Sequence, residues 1–148
     1  MVRREPAAAG IAARFRVGGV PTFLYHGLAE RPDGAGPRHQ RKYWVSPALF
    51  RAHLGQIRRH GCRPLLLGEI WDLPPGGAHA GAVALTFDDG RASDYRLAYP
   101  LLQEAGAPAT FFVNTATVGR PGYLAWNQIE EMQRVGMSFQ SHGHDHLD

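Results

Sequence analysis

The stretch VALTFDDGR, residues 83–91, decides the fold that this sequence predicts. Residues 83–87 form a nearly unbroken apolar run, which is typical of a strand buried on both faces of a parallel sheet. Asp88 and Asp89 follow where the strand ends, and Gly90 allows the chain to turn sharply. The stretch therefore predicts a central strand that brings two neighbouring carboxylates to one edge of a sheet.

Strands and helices alternate on both sides of this stretch. Apolar runs rich in strand-forming residues lie at 20–25, 64–67, 109–113 and 137–140. Helical patterns follow at 46–60, 93–105 and 127–135, with one helical turn at 68–71. This alternation predicts an α/β domain in which about five mostly parallel strands are flanked by helices.

Capping residues predict where the helices begin and end. Ser46 is a typical N-cap residue, and Pro47 suits the first position of a helix. Gly61 is a natural stop for the same helix. Pro100 lies inside the next helical pattern and predicts a break or a fresh start there, because proline lacks the amide proton that a continuous helix requires.

Polar clusters follow three of the predicted strands. Tyr25-His26 ends the first strand, Asp88-Asp89 ends the third, and residues 142–146 follow the fifth. Because the carboxyl ends of parallel strands meet at one edge of a sheet, these clusters should lie close together. That edge is where α/β proteins place their active sites, so the sequence predicts a site there.

The two aspartates indicate a metal ion. Asp88 and Asp89 repel each other unless a positive charge offsets them, and a bound cation would do so. Neighbouring residues that leave a strand point in different directions, so one carboxylate could bind the metal while the other faces a reacting water. A turn that caps the following helix is the structural alternative for an isolated Asp-Asp-Gly sequence.

The histidines near the end of the chain fit the same interpretation. In a helical turn His142 and His146 share one face, whereas in an extended chain His144 joins them; Gly143 favours the turn. Imidazole suits zinc, and two histidines with one carboxylate leave positions open for water and substrate. Such a metal can activate water to hydrolyse an amide or an ester. A solvated, histidine-rich segment is the alternative.

Composition excludes several classes of protein. A chain of 148 residues is long enough for one domain. Its formal net charge is +3, and its arginines are spread along the chain, so no nucleic acid partner is expected. No apolar run is long enough to cross a bilayer, so no transmembrane segment is expected. The single cysteine, Cys62, cannot form an internal disulfide.

Residues 1–18 are basic and alanine-rich, and we expect them to form a flexible arm. Pro6 and Gly10 interrupt the apolar core that a signal peptide would need, so no signal peptide is evident. One free thiol fits a reducing compartment, which favours a cytoplasmic location slightly. Export stays open as an alternative.

From about Val20 to Asp148 the chain resembles the polysaccharide deacetylases of carbohydrate esterase family 4, which share the chitooligosaccharide-deacetylase homology domain. The TFDDG motif lies in VALTFDDGRASDY, and a serine-histidine pair with a second histidine four residues later lies in LAWNQIEEMQRVGMSFQSHGHDH. Three further stretches resemble the family in order along the chain: VPTFLYHGL, YWVSPALFRAHLGQIRRHGCRPLLLGEI and APATFFV.

The resemblance implies a hydrolase that removes acetyl groups from an N-acetylated glycan, breaking a carbon–nitrogen bond outside peptides. Asp88 would be the general base. The ligands of a divalent metal, usually zinc, would be Asp89, His142 and His146. The residues that would line the substrate cleft are Tyr25, His26, Arg91 and Trp126.

The family's fold is an irregular barrel related to the TIM barrel. About five strands are present here, so we expect an incomplete barrel in which residues 19–148 are the N-terminal part of a catalytic domain whose C-terminal part is absent. Later family motifs are missing, including an arginine that orients the base and a histidine that acts as general acid. The chain alone should therefore release little acetate.

Two alternatives stay open, the first because motifs are missing and the second because it uses the same fold. The first is a truncated, non-catalytic remnant that binds metal or glycan without turnover, and the second is a related metal-dependent amidase. Family members are often exported. The sequence leaves the glycan and the oligomeric state undetermined.

Overall fold

The computed structural model describes residues 19–31, 43–73 and 81–145 of the chain. The strands in these parts are β1 Thr22–Tyr25, β2 Arg63–Leu65, β3 Ala82–Phe87, β4 Thr110–Val113 and β5 Ser138–Ser141. The α-helices are α1 Pro47–Arg59, α2 Tyr99–Ala105 and α3 Trp126–Arg134. A 3-10 helix spans Leu67–Asp72, and a π-helical turn spans Asp94–Ala98.

The strands form one parallel sheet with β3 near its centre. β3 pairs with β1, β2 and β4, and β5 extends the sheet beyond β4. The register places Tyr25 opposite Phe87 and Phe111 opposite Phe139, so β1, β3, β4 and β5 end at the same side of the sheet. The predicted α/β architecture with parallel strands and flanking helices is confirmed.

Aromatic side chains from the sheet and from α1 form the centre of the core. Phe87 stacks on Phe111 at 4.8 Å and on Tyr25 at 5.1 Å between ring centroids, and it meets Phe50 edge-on at 5.6 Å. The three phenylalanines are completely buried. Burial of each stabilises the fold by about 1.5–3 kcal/mol, so this cluster holds β3 and its carboxyl end rigidly in place.

The helix α1 begins and ends as its capping residues predict. The Ser46 hydroxyl accepts a hydrogen bond from the Leu49 amide at 3.1 Å, and Pro47 is the first helical residue. Gly61, one residue beyond the C-cap, has a φ of +66°, which costs glycine little. The predicted start and stop of this helix are confirmed.

Pro100 interrupts the helical segment that follows β3. The chain forms the π-helical turn first and then starts α2 at Tyr99, which puts Pro100 in the first turn of a new helix. Proline is tolerated there because the first turn has no intrahelical partners for its amides. The predicted fresh start is confirmed.

Other boundaries differ slightly from the prediction, as strand ends commonly do. β2 ends at Leu65 rather than at Leu67, because the Leu67 amide donates instead to the Thr110 hydroxyl at 3.0 Å and the 3-10 helix begins there. The predicted arm at 1–18 lies outside the described residues, as does most of the glycine- and proline-rich loop before β3. In the described parts, no helix combines the length and apolarity that a bilayer span requires.

Candidate functional site

The carboxyl edge of the sheet brings together residues from three strands. His26 follows β1, Asp88 and Asp89 follow β3, and His142 follows β5. Nε2 of His26 lies 4.0 Å from Oδ2 of Asp88, and Nε2 of His142 lies 3.7 Å from Oδ1 of Asp89. The parallel topology therefore gathers these four side chains as the sequence predicts, while their chemical roles stay predictions.

Asp89 has an unusual backbone conformation. Its φ is +74°, and among the residues that the structure describes it is the only non-glycine residue with a positive φ. A left-handed conformation costs a residue with a side chain about 1–2 kcal/mol, so surrounding contacts must hold it in place. Asp89 is also only 2% exposed. A buried, strained aspartate at a strand end is typical of a functional site.

Gly90 permits a close approach between the turn after β3 and the end of β4. A β-carbon at this position would lie 2.8 Å from Cγ1 of Val113, and the φ of Gly90 is +62°. No other residue type fits without displacement, because real β-carbons do not approach a methyl group so closely. Glycine is therefore needed here for both space and conformation.

The two oxygens of the Asp89 carboxylate face different partners. Oδ2 accepts a hydrogen bond from Nη2 of Arg91 at 2.9 Å, and Oδ1 faces the imidazole of His142. The 3.7 Å between Oδ1 and Nε2 exceeds a normal hydrogen bond. Two donors that share one tetrahedral zinc ion lie about 3.4 Å apart, given bonds of about 2.1 Å. The donor types and their separation therefore fit a shared cation.

The carboxylate of Asp88 faces His26, whereas that of Asp89 faces Arg91 and His142. The side chain of Asp88 is 15% exposed, and His26 opposite is 22% exposed, so both reach solvent at the edge of the sheet. The ring of His26 stacks on Tyr43 with 4.6 Å between centroids. This contact orients the imidazole toward Asp88. A carboxylate beside an imidazole at an accessible edge is an arrangement suited to proton transfer.

Asn114, which the sequence analysis did not single out, holds the segment of His142. Its side-chain amide donates to the His142 carbonyl at 2.8 Å, and the His142 amide donates to the Val113 carbonyl at 2.8 Å. Asn114 is 1% exposed, so these bonds form away from water. A polar residue directly after the buried strand β4 is the signal that could have revealed it.

His144 and His146 complete the histidine cluster in sequence. The ring of His144 is hydrogen-bonded to the Thr115 hydroxyl at 2.8 Å, and its side chain is exposed. His146 lies outside the described residues. Within residues 19–31, 43–73 and 81–145, no group of three histidine, cysteine or acidic side chains is arranged to hold a metal ion.

Two of the predicted cleft residues lie in contrasting surroundings. Tyr25 is 4% exposed, its hydroxyl is hydrogen-bonded to His53 at 3.2 Å, and burial raises its pKa to about 12. Trp126 begins α3 and is 58% exposed. Tyr25 thus contributes to the core, whereas the indole of Trp126 is available to solvent; a role in binding substrate is untested for both.

Asp94 is an acidic residue that the sequence did not reveal as part of this region. It begins the π-helical turn and is completely buried. Removal from water raises the pKa of its carboxyl well above the usual range, although the main-chain amide and the guanidinium of Arg91 oppose this. The negative charges of Asp89 and Asp88 add to the increase. Asp94 therefore holds its proton more tightly than an exposed aspartate does.

Comparison with known proteins shows which family the chain resembles. The sequence model described as polysaccharide deacetylase matches residues 76–148, which include the TFDDG motif and the serine-histidine pair with its second histidine. YxkH of Bacillus subtilis is 29% identical over 134 residues, which are 87% of this chain and 44% of YxkH. The poly-beta-1,6-N-acetyl-D-glucosamine N-deacetylase of Staphylococcus aureus is 29% identical over 112 residues, which are 71% of this chain and 39% of that enzyme.

Solved structures agree with the sequence comparison. The deacetylase PplD of Streptococcus pyogenes, solved in complex with acetate, superposes with a TM-score of 0.71 at 32% identity, over 87% of this chain and 58% of PplD. The polysaccharide deacetylase BC0361 of Bacillus cereus superposes with a TM-score of 0.72 at 28% identity, over 86% of this chain and 40% of BC0361. The chain therefore resembles the polysaccharide deacetylases in sequence and shares their fold. It spans less than half the length of the two curated relatives, at 44% and 39%.

Proposed function

We propose that this chain carries the metal-binding and base-bearing part of a metal-dependent hydrolase that removes acetyl groups from an N-acetylated glycan. The relatives named as polysaccharide deacetylases support the reaction class. One observation carries the proposal for this chain: Asp89 and His142 face each other at 3.7 Å at the carboxyl edge, with Asp88 directly beside them.

Asp89 and His142 would hold the divalent ion, with His146 as the third ligand that the family motif implies. The buried carboxylate oxygen and the imidazole nitrogen are donors that zinc accepts. When bound, zinc would supply Lewis-acid polarisation of the acetyl carbonyl and a lowered pKa for water.

Asp88 would act as the general base. Its carboxylate is separate from the Asp89 pair and is partly exposed, so it can accept a proton from the attacking water. The water oxygen then forms a bond to the acetyl carbon, and the carbon–nitrogen bond breaks. The products are acetate and a free amine on the sugar.

His26 would return a proton to the departing nitrogen. Its Nε2 lies 4.0 Å from Asp88, and its ring is fixed by the stack on Tyr43. We infer that His26 takes this role, since its imidazole faces Asp88 and is partly exposed at the edge of the sheet.

Zinc binding tests the proposed site directly. Calorimetric titration of the chain should show binding that His142→Ala abolishes, because the variant loses one of the two donors that converge. His60→Ala is a matched control, since His60 is exposed at the C-cap of α1. Equal zinc affinity in the chain and in His142→Ala would contradict the assignment.

Acetate release tests the reaction. The zinc-loaded chain is incubated with N-acetylglucosamine oligomers, and any release should fall at least about 100-fold in Asp88→Asn, since a general base contributes that much or more. Release that Asp88→Asn leaves unchanged would contradict the proposed base. Zinc binding without release would agree with the expectation that these 148 residues alone release little acetate.

A further inference from the structure

Arg91 lies between the Asp89 carboxylate and a tyrosine from another loop. Its Nη2 donates to Oδ2 of Asp89 at 2.9 Å, and its Nη1 donates to the hydroxyl of Tyr123 at 3.1 Å. The side chains of Arg91 and Asp89 are only 17% and 3% exposed. Both ends of the guanidinium fork are therefore engaged away from bulk water, where hydrogen bonds are stronger.

Main-chain contacts hold Tyr123 in this position independently of its side chain. Arg91 and Tyr123 form an antiparallel bridge. On its two sides the Ala92 amide donates to the Gly122 carbonyl, and the Leu124 amide donates to the Gly90 carbonyl, both at 2.9 Å. Leu124 is completely buried and anchors the loop. These main-chain contacts thus fix the position of Tyr123 relative to Arg91.

The guanidinium of Arg91 determines which carboxylate oxygen of Asp89 faces His142. It holds Oδ2, so Oδ1 alone is directed at His142. The carboxylate cannot rotate freely while one oxygen is held by a planar group that is itself hydrogen-bonded at its other end. The left-handed backbone of Asp89 removes the remaining freedom in the direction of the side chain.

We propose that Arg91, oriented by Tyr123, is a positioning residue that fixes the Asp89 carboxylate so that a cation meets Oδ1 only. This inference rests on the proposed function, in which Asp89 holds a divalent ion. It assigns Arg91 a contact with the ligand carboxylate in place of the contact with substrate that the family resemblance suggested.

Conservative substitutions separate geometry from charge. Arg91→Lys keeps the positive charge beside Asp89, but an ammonium group lacks the planar fork that spans Asp89 and Tyr123. Tyr123→Phe keeps the arginine and removes only the hydroxyl that orients it. Matched controls are Arg134→Lys, at an exposed arginine paired with Glu130, and Tyr95→Phe, which removes an exposed hydroxyl bonded to Glu131.

Cobalt(II) titration of the 148-residue chain, followed by visible absorption, measures both affinity and ligand geometry. We expect Arg91→Lys to bind Co²⁺ about 10- to 100-fold more weakly with an altered absorption band, as is typical when a group that orients a ligand is lost. Tyr123→Phe should shift both quantities in the same direction by a smaller factor. The controls should match the unsubstituted chain, and circular dichroism checks that each variant is folded.

Wild-type affinity and an unchanged band in Tyr123→Phe and in any folded Arg91→Lys would overturn the inference, even though the proposed metal site would stand. If Arg91→Lys does not fold, Tyr123→Phe alone decides. Absence of Co²⁺ binding by the unsubstituted chain would instead overturn the proposed metal site, and the positioning role with it.

Discussion

Asp94→Asn should raise the free energy of unfolding relative to that of the unsubstituted protein, and this difference should grow as the pH rises. The Asp94 carboxyl is completely buried, and loss of hydration raises its pKa well above the 3.8 of an exposed aspartate. The folded protein therefore keeps a proton on this group at pH values where the unfolded chain has released it. Asparagine has nearly the same shape and is neutral at every pH, so the variant lacks this difference.

The size of the effect follows from proton linkage. Above pH 3.8 the folded state binds more protons at Asp94 than the unfolded state does, so this group lowers the free energy of unfolding as the pH rises. The decrease is at most about 1.4 kcal/mol per pH unit, and it ends where the pH passes the folded pKa. Below pH 3.8 the carboxyl is protonated in both states and the effect is absent.

Urea unfolding followed by far-ultraviolet circular dichroism at pH 5, 6 and 7 measures this dependence. The free energy of unfolding of Asp94→Asn minus that of the unsubstituted protein should increase with pH, by up to about 2.7 kcal/mol over two units. A constant penalty from the new amide group would shift all three values equally and leave the slope unchanged. Asp72→Asn, at an exposed position, controls for the change in net charge.

A difference that stays flat from pH 5 to pH 7 would refute the reasoning, because it would mean that Asp94 is ionised in the folded protein throughout this range. A difference that falls with pH would refute it as well. The flat result would show that the Arg91 amide and guanidinium outweigh burial.

Three further substitutions test the local structure. Gly90→Ala should destabilise the fold by more than about 1 kcal/mol, since it adds left-handed strain and a contact of 2.8 Å with Val113; denaturant unfolding measures this. Asn114→Ala should weaken Co²⁺ binding by at least about 10-fold, because the hydrogen bond to the His142 carbonyl is lost. An unchanged affinity would show that His142 keeps its position without this hydrogen bond. Ser46→Ala should cost about 1 kcal/mol in the same unfolding assay and leave Co²⁺ affinity unchanged, and a change in that affinity would contradict the separation of cap and site.

Most of the fold could be predicted from local patterns. The apolar run before Asp88 predicts a strand buried on both faces, and all of β3 is buried. Ser46 and Pro100 predict where helices start because capping and the missing proline amide act within one turn of the chain. The strand ends were less predictable, since hydrogen bonds to distant residues, such as that from Leu67 to Thr110, decide them.

The sequence predicted which acids and histidines lie at the candidate site, but it did not predict the hydrogen bonds that hold them. A rule of parallel sheets places Asp89 and His142 at one edge, and they lie 3.7 Å apart there. Tyr123 was missed because the stretch GRPGYL around it carries no pattern that indicates a contact with Arg91. Asn114 and Asp94 were missed because their burial depends on elements far away in the chain.

Local signals in the sequence sufficed for the strands along the chain and for the capped helices, because each depends on residues within a few positions of one another. The edge at which acids and histidines would meet followed from the rule that parallel strands end at the same side of a sheet. Tertiary packing alone decided which oxygen of Asp89 faces His142, which imidazole faces Asp88, and which acid is completely buried. Those outcomes depend on distances between segments, such as 3.1 Å from Arg91 to Tyr123, and on exclusion of water, and neither quantity exists until the chain has folded.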